Sequence, residues 1–365
     1  MSVNKVKQVL EKFASEQKQD KLFVSWNEVS QEEKRSTGSL LLDDLLGGGY
    51  VPGSISQWMG QPSGGKTSVV THICAEYQRQ GKLVAYLDCE NSFDPSHALH
   101  TFGFNVMDET TVLFSQEENA SNVYEMVEVC AENGFSLVVI DSTDAMFTNA
   151  EQEGEYGDAH MGQMARMNSQ ALKKLKGILK KNKCDLMMIS QVRTSIGGYT
   201  SGMEVTSGGK AIEFYSSIRN RVAKVEIIKD KEGNAIGQRL KITNKKNKTG
   251  IPFKEIEMDL YYNKGLDTFG EYIELGIKYG LIEKKGGWFN YPTFPNDKPI
   301  QGKENVIEYF KQNEKEYLTL KKEVLDHFNG SAKEGKPTFL PIEEKKEEKK
   351  RTRNVKTEEK QEENK

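Results

Sequence analysis

The 365-residue chain is poor in cysteine, in long apolar runs and in charge of one sign. Its four cysteines, Cys74, Cys89, Cys130 and Cys184, are dispersed, with no C-x-x-C and no nearby histidine pair, so neither a disulfide framework nor a zinc site is implied. No stretch approaches the roughly 20 apolar residues of a membrane span. Residues 1–17 are charged and amphipathic, without the apolar run of a signal peptide. A soluble, intracellular protein without a membrane partner is expected. Lys and Arg number 51 against 54 Asp and Glu, a net charge of −3, which excludes a uniformly basic nucleic-acid binder. Any polyanion must therefore meet a local patch. No repeat of solenoid period is visible. What is present is length for two or three domains and 36% hydrophobic residues, enough for a sizeable core.

Residues 3–14 place Val3, Val6, Val9, Leu10, Phe13 and Ala14 at helical spacing, and so short a helix needs something to pack on. It reads as a docking helix. Beyond it, short apolar runs at 55–59, 83–87, 112–114, 137–140 and 186–189 alternate with helical segments over about 66–80, 121–133 and 160–182. That alternation predicts βαβ units around a buried, mainly parallel sheet. Runs at 218–228, 238–243 and 255–262 lack helix-length spacers and are expected to extend the sheet as antiparallel strands. Past Gly270 a small helical region is expected over 271–279, 303–312 and 314–328, around Gly286-Gly-Trp-Phe. Residues 343–365 hold nine basic and eight acidic side chains with one apolar residue, Val355, and read as a disordered tail.

Gly60-Gln61-Pro62-Ser63-Gly64-Gly65-Lys66-Thr67 fits G-x-x-x-x-G-K-(S/T) between an apolar strand and a helix. The glycines let backbone N–H groups wrap phosphates at the positive end of the following helix. Lys66 is expected to reach the β- and γ-phosphates and Thr67 to hold Mg²⁺. Asp141 ends the apolar strand Leu137-Val-Val-Ile-Asp141, where a carboxylate can orient the metal shell. Glu90, just past Tyr86-Leu-Asp88-Cys89, is a candidate base for an attacking water. Gln191 ends a further strand and could sense the γ-phosphate, tying the long Gly/Ser/Thr segment 192–209 to the nucleotide.

Residues 239–254 carry Arg239, Lys241, Lys245, Lys246, Lys248 and Lys254 without an acid, a candidate polyanion patch. On the helix at 160–182, Arg166, Ser169 and Lys173 share one face beside the glycine-rich loop. Such a loop can hold phosphates through backbone N–H without reading bases. His97 and His100 share a helical face with no third ligand in view, so a metal site is not expected there.

From Ser36 to Phe328 the chain resembles bacterial RecA-type recombinases. The resemblance rests on the phosphate loop, Asp88-Cys-Glu90 with Asp94-Pro95, Val138-Val-Ile-Asp141-Ser142, Glu153-Gly-Glu-Tyr-Gly-Asp-Ala-His-Met-Gly162, Ser190-Gln-Val-Arg193, Ser207-Gly-Gly-Lys-Ala211, Phe214-Tyr, Lys246-Asn-Lys248 and Gly286-Gly-Trp-Phe. It implies an α/β fold: a P-loop RecA-like ATPase core with a mainly parallel sheet over 36–270, an N-terminal polymerisation helix and linker over 1–35, a small C-terminal α/β domain over 271–328, and a charged tail over 329–365. The implied function is an ATP- and Mg²⁺-dependent recombinase that forms helical filaments on single-stranded DNA, pairs it with homologous duplex DNA and exchanges strands. It would act in the cytoplasm of a bacterium or of a phage-infected host, with single-strand-binding and loader proteins as partners.

Residue by residue, the resemblance assigns Lys66 and Thr67 to ATP and Mg²⁺, Glu90 to water activation, Asp141 to the metal shell, Asp94 to adenine and Gln191 to γ-phosphate sensing. Lys246 and Lys248 would reach the nucleotide of a neighbouring protomer, and Phe214 would lie at that interface. Loops over about 154–164 and 192–209 would meet DNA, with Met161, Arg166, Ser169, Lys173, Arg193, Ile196, Gly208, Gly209 and Lys210 as contacts. The chain departs from the family in having His97 where an aromatic usually stacks on adenine, Glu213 in place of a lysine, and a tail that is not strongly acidic. Other readings remain: a hexameric helicase or branch-migration ATPase, a non-enzymatic single-strand binder that uses ATP only for assembly, and a small-molecule P-loop kinase.

Overall fold

Each central apolar run becomes a strand, because a segment apolar on both faces must be covered on both. The computed structural model describes residues 33–155, 162–194, 204–206, 208–295 and 298–333. The expected docking helix, the charged tail and most of both expected DNA loops, Met161 and Ile196 included, lie outside the described residues.

The chain enters through α1, Leu40–Leu46, capped by the Ser39 hydroxyl, which accepts from Leu42 N. Then follow β1 (Ile55–Gly60), α2 (Lys66–Arg79), β2 (Val84–Asp88), β3 (Val112–Ser115), α3 (Ala120–Glu132), β4 (Leu137–Asp141), α4 (Asn149–Glu153) and α5 (Gln163–Asn182). Next come β5 (Asp185–Thr194), β6 (Glu204–Thr206), α6 (Ala211–Tyr215), β7 (Ile218–Lys229), β8 (Ala235–Asn247), β9 (Glu255–Tyr261) and β10 (Gly265–Leu266). The C-terminal region comprises α7 (Gly270–Lys278), β11 (Glu283–Lys285), β12 (Trp288–Asn290), β13 (Ile300–Gln301), α8 (Lys303–Gln312) and α9 (Glu314–Lys333).

The large sheet has the order β10-β9-β8-β7-β1-β5-β4-β2-β3, with β6 added to β5. From β7 to β3 every neighbouring pair is parallel. The run at 218–228 was expected to be antiparallel. It instead lies parallel to β1, because α6 precedes it and returns the chain, and the antiparallel extension starts only at β8. Successive side chains of the parallel strands enter opposite cores. Val84, Tyr86, Leu137 and Val139 pack with α1 and α2, whereas Ala85, Leu87, Val138 and Ile140 pack with α3, α5 and α6.

The first of these cores runs on into the C-terminal region, where Phe269 stacks on Tyr317 with ring centroids 4.0 Å apart. Glu271 ties the two together by accepting from Ser39 Oγ at 2.6 Å. Helix α9 continues past the expected stop at 328. Gly330 is tolerated there at a cost of about 1 kcal/mol, since Ser331, Ala332 and Lys333 can still carry the helix. Among the described residues no helix is long and apolar enough to cross a membrane.

Candidate functional site

Ligands of open α/β sheets bind outside the carboxyl ends of the parallel strands. Here those ends bring together Gly60 beside Gln191 and Asp88 beside Asp141. Between β1 and α2 the loop turns with Ser63 at φ 56° and Gly65 at φ 91°. Gly60 must be glycine, because a Cβ there would stand 2.1 Å from the Val222 carbonyl of β7. Helix α2 begins at Lys66, so the loop lies against its free N–H groups and the positive end of its dipole. Lys66 Nζ donates to Gln61 O at 3.0 Å. Burial lowers its pKa, against the pull of Asp141, Glu90 and Asp144.

Thr67 Oγ1 donates to Asp141 Oδ2 at 3.0 Å, and the buried Tyr86 hydroxyl donates to the same oxygen at 2.7 Å. Asp141 Oδ1 is buried with no hydrogen-bond partner. Burial raises this carboxyl to about 6; the bonds from Tyr86 and Thr67 oppose the rise, and Glu90 and Asp88 add to it. An orphaned carboxylate oxygen beside a threonine hydroxyl is suited to a hard cation or its water shell. Among the described residues no group of three or more His, Cys, Asp or Glu is placed to hold a metal. Thr67 and Asp141 would thus share a cation with oxygens of a bound phosphate, as Mg²⁺ sites commonly do.

The candidate base and the candidate sensor touch. Glu90 Oε1 accepts from Gln191 Nε2 at 3.1 Å and from the Ser142 hydroxyl. The Gln191 backbone donates to Asp144 Oδ2 at 2.7 Å. Ser142 and Asp144, one and three residues after Asp141, were given no role of their own in the sequence reading. Asp94 stands apart: its Oδ1 caps the next helical turn, accepting from Ser96 N at 2.8 Å and His97 N at 3.0 Å.

Lys246 and Lys248 are not gathered around this loop. Lys246 Nζ donates to Glu213 O at 2.6 Å and Phe214 O at 3.1 Å, toward the amino end of β7. Nor is the basic run 239–254 a free patch. Arg239 forms a two-pronged pair with Asp259 at 2.7 and 3.1 Å, Lys241 pairs with Glu255 at 2.6 Å, and Lys254 bonds Asp44 O at 3.2 Å. Cross-strand acids from β9 supply what the run itself lacks.

On α5, Arg166, Ser169 and Lys173 are all exposed on one face. The expected 192–209 loop begins and ends as a ladder instead, Val192 to Thr194 pairing with Glu204 to Thr206, so Arg193 belongs to a strand. Gly208 and Gly209 adopt φ 78° and 80°. A Cβ on Gly209 would stand 2.7 Å from the Ala165 Cβ, so α5 and the glycines are in close contact. Asn168 fastens them: its Nδ2 donates to Gly208 O at 2.8 Å and its Oδ1 accepts from Tyr124 Oη at 2.7 Å. Sequence reading passed over Asn168. Its signal was a polar side chain on the buried stripe it shares with Leu172, Leu175 and Leu179.

A phosphate-loop motif at the carboxyl end of a parallel sheet, faced by a strand-ending carboxylate, defines a nucleotide-binding P-loop protein. The "RecA N-terminal domain" family model matches residues 5–267 and the "RecA C-terminal domain" model residues 270–329. Protein RecA of Chlorobaculum tepidum is 40% identical over 298 residues, 81% of this chain and 84% of that protein. Protein RecA of Mycoplasma mycoides is 40% identical over 285 residues, covering 78% and 80%. A solved RadB recombinase aligns with TM-score 0.48 at 22% identity, over 63% of this chain and 97% of that one. The chain belongs to the RecA family. It is a RecA-type recombinase and a DNA-dependent ATPase, which disfavours the helicase and passive-binder readings.

Proposed function

We propose that the nucleotide is ATP with Mg²⁺, held by Gly60 to Thr67, and that its hydrolysis at Glu90 governs filament assembly on single-stranded DNA. The observation that carries this reading is the Thr67–Asp141 bond beside the unpartnered Asp141 Oδ1. Mg²⁺, when bound, would offset the charge that develops on the β- and γ-phosphate oxygens. The N–H groups at the start of α2 and the Lys66 ammonium grip the phosphates. Glu90 takes a proton from water as the water oxygen bonds to the γ-phosphorus and the bridging oxygen leaves with ADP. Gln191, released from Glu90, turns its amide to the γ-phosphate and so reports which nucleotide is present through β5 to the 192–209 segment. Asp94 meets adenine through the carboxylate oxygen not engaged in its cap.

Lys246 and Lys248 serve a neighbour's nucleotide in this scheme. Lys246 pairs in register with Arg219, and Arg219 with Gln57, three residues short of Gly60 and two strands away. That offset is roughly 14 Å at strand spacings of ~4.8 Å and a rise of ~3.3 Å per residue, beyond a lysine's reach to its own loop. DNA runs over Arg166, Ser169, Lys173, Gly208, Gly209 and Lys210, with Arg193 at the stem of the second loop. The deciding experiment measures ATP turnover and filament formation with and without single-stranded DNA. Lys66→Ala should abolish ATP-dependent assembly, and Glu90→Gln should keep assembly while slowing turnover by roughly 10²–10⁴-fold, the scale of a lost general base. Normal turnover in Glu90→Gln would remove the base from the scheme.

A further inference from the structure

A line of polar side chains crosses the middle of the sheet on the face covered by α5 and α6. Thr143 Oγ1 lies 2.9 Å from Ser190 Oγ, and Gln57 Nε2 donates to Ser190 Oγ at 3.0 Å. Arg219 Nε donates to Gln57 Oε1 at 2.8 Å, and Arg219 Nη1 pairs with Glu213 Oε1 at 2.7 Å. Thr143, Ser190 and Gln57 are 3%, 0% and 0% exposed, so each must find its partners inside the protein. No two consecutive members of the line are adjacent in sequence. It spans β5, β1 and β7, the strands between the nucleotide end and α6.

Its donor direction is determined at the arginine end. A guanidinium only donates, so Gln57 must present Oε1 to Arg219 and Nε2 to Ser190. Ser190 Oγ then accepts from Gln57 and shares a hydrogen bond with the Thr143 hydroxyl, which also reaches Ile189 O at 3.2 Å. The line ends at Thr143, next to the Ser142 that bonds Glu90 and two residues from Asp141. At its other end, Glu213 sits on the helix that directly follows Gly208, Gly209 and Lys210, and its carbonyl receives Lys246.

We infer that Thr143, Ser190, Gln57 and Arg219 are positioning residues that couple the Glu90–Gln191 pair to α6 and the DNA-facing glycines. This inference rests on the proposed function, because it needs a DNA-stimulated turnover to act upon. A fully satisfied buried network admits one arrangement, and a shift at either end must be followed along the line or break it. Glu213 then has a definite role: its carboxylate, 54% exposed, holds a guanidinium that is only 12% exposed.

The test compares turnover with and without single-stranded DNA, together with nucleotide affinity, for Thr143→Val, Gln57→Met and Glu213→Ala. Thr143→Val and Gln57→Met keep shape and remove the link, and Glu213→Ala lies at the half-exposed end where folding is least at risk. DNA stimulation should fall by about tenfold, the order of a single coupling free energy, with DNA-independent turnover and nucleotide affinity unchanged. Thr143→Ser, which keeps the hydroxyl, should restore the stimulation. If Thr143→Val and Glu213→Ala both keep full stimulation, or if turnover, nucleotide affinity and thermal stability all fall together, the coupling role is overturned. A wild-type protein whose turnover ignores DNA would instead sink the proposed function, and the inference with it.

Discussion

Asp141 ends its strand with one carboxylate oxygen bonded and the other without a partner. Burial holds it at about 6, so its charge is lost just below neutrality rather than near pH 4. A cation needs the charged form, and binding must then expel whatever proton the carboxyl carries. Mg²⁺-nucleotide affinity should therefore be steady above about pH 7 and weaken by up to tenfold per unit below 6. Asp141→Asn should bind more weakly and lose that pH dependence. Titration calorimetry at pH 5.5, 6.5 and 7.5 checks both points, and a wild-type affinity independent of pH would separate Asp141 from the cation. This residue was legible in the sequence because an acid that ends an apolar strand gains a use once a phosphate loop is present in the same chain. Gln57 and Arg219 were not, since their meaning depends on partners in β5 and α6 that are remote in the chain.

Helix α5 shows why elements were read more easily than their junctions. Its stripe of Leu172, Leu175 and Leu179 repeats at helical spacing and is visible from the sequence alone. The seat of Gly208 and Gly209 on its first turns arises from contacts across some forty residues, which periodicity does not encode. Short elements such as α1, α6 and β6 were overlooked for a related reason, being too brief to show a period. The junction makes its own prediction. Asn168→Ala leaves Gly208 O and the Tyr124 hydroxyl without this partner and should cost roughly 1–3 kcal/mol, the penalty for unpaired buried polar groups. Gly209→Ala forces a side chain onto Ala165 at a positive φ. Both should weaken single-stranded DNA binding while leaving nucleotide affinity intact, as measured by fluorescence anisotropy and nucleotide titration. Lys173→Ala should instead weaken binding evenly across sequences and lower the salt slope by about 0.7, as one lost phosphate contact would. An unchanged slope would take Lys173 out of the DNA path.

At the scale of the whole molecule, the C-terminal region is joined to the core through a buried acid as well as through apolar contact. Glu271 accepts from Ser39 Oγ and, at 3.4 Å, from Leu41 N, and Asp43 accepts from Ser36 Oγ and Thr37 N nearby. Burial is the leading cause that raises Glu271 to about 8 and Asp43 to about 7, while their hydrogen bonds oppose the rise. In the unfolded chain both titrate near 4, so between about pH 4 and 8 the native state holds protons that the unfolded state has shed. Stability must therefore fall as pH rises through this window, by at most about 1.4 kcal/mol per unit for each group, and level off once both are ionised. The loss should appear first at this joint, because the ionised Glu271 would lie buried where α7 meets Ser39 and Leu41. Glu271→Gln keeps the shape and the acceptor oxygen and cannot ionise. Its thermal midpoint should change less than that of the wild type between pH 6 and 9, and hydrogen exchange in α7 should lose its pH-dependent excess over the strands of the core. Equal pH slopes in the two proteins would place the proton uptake elsewhere.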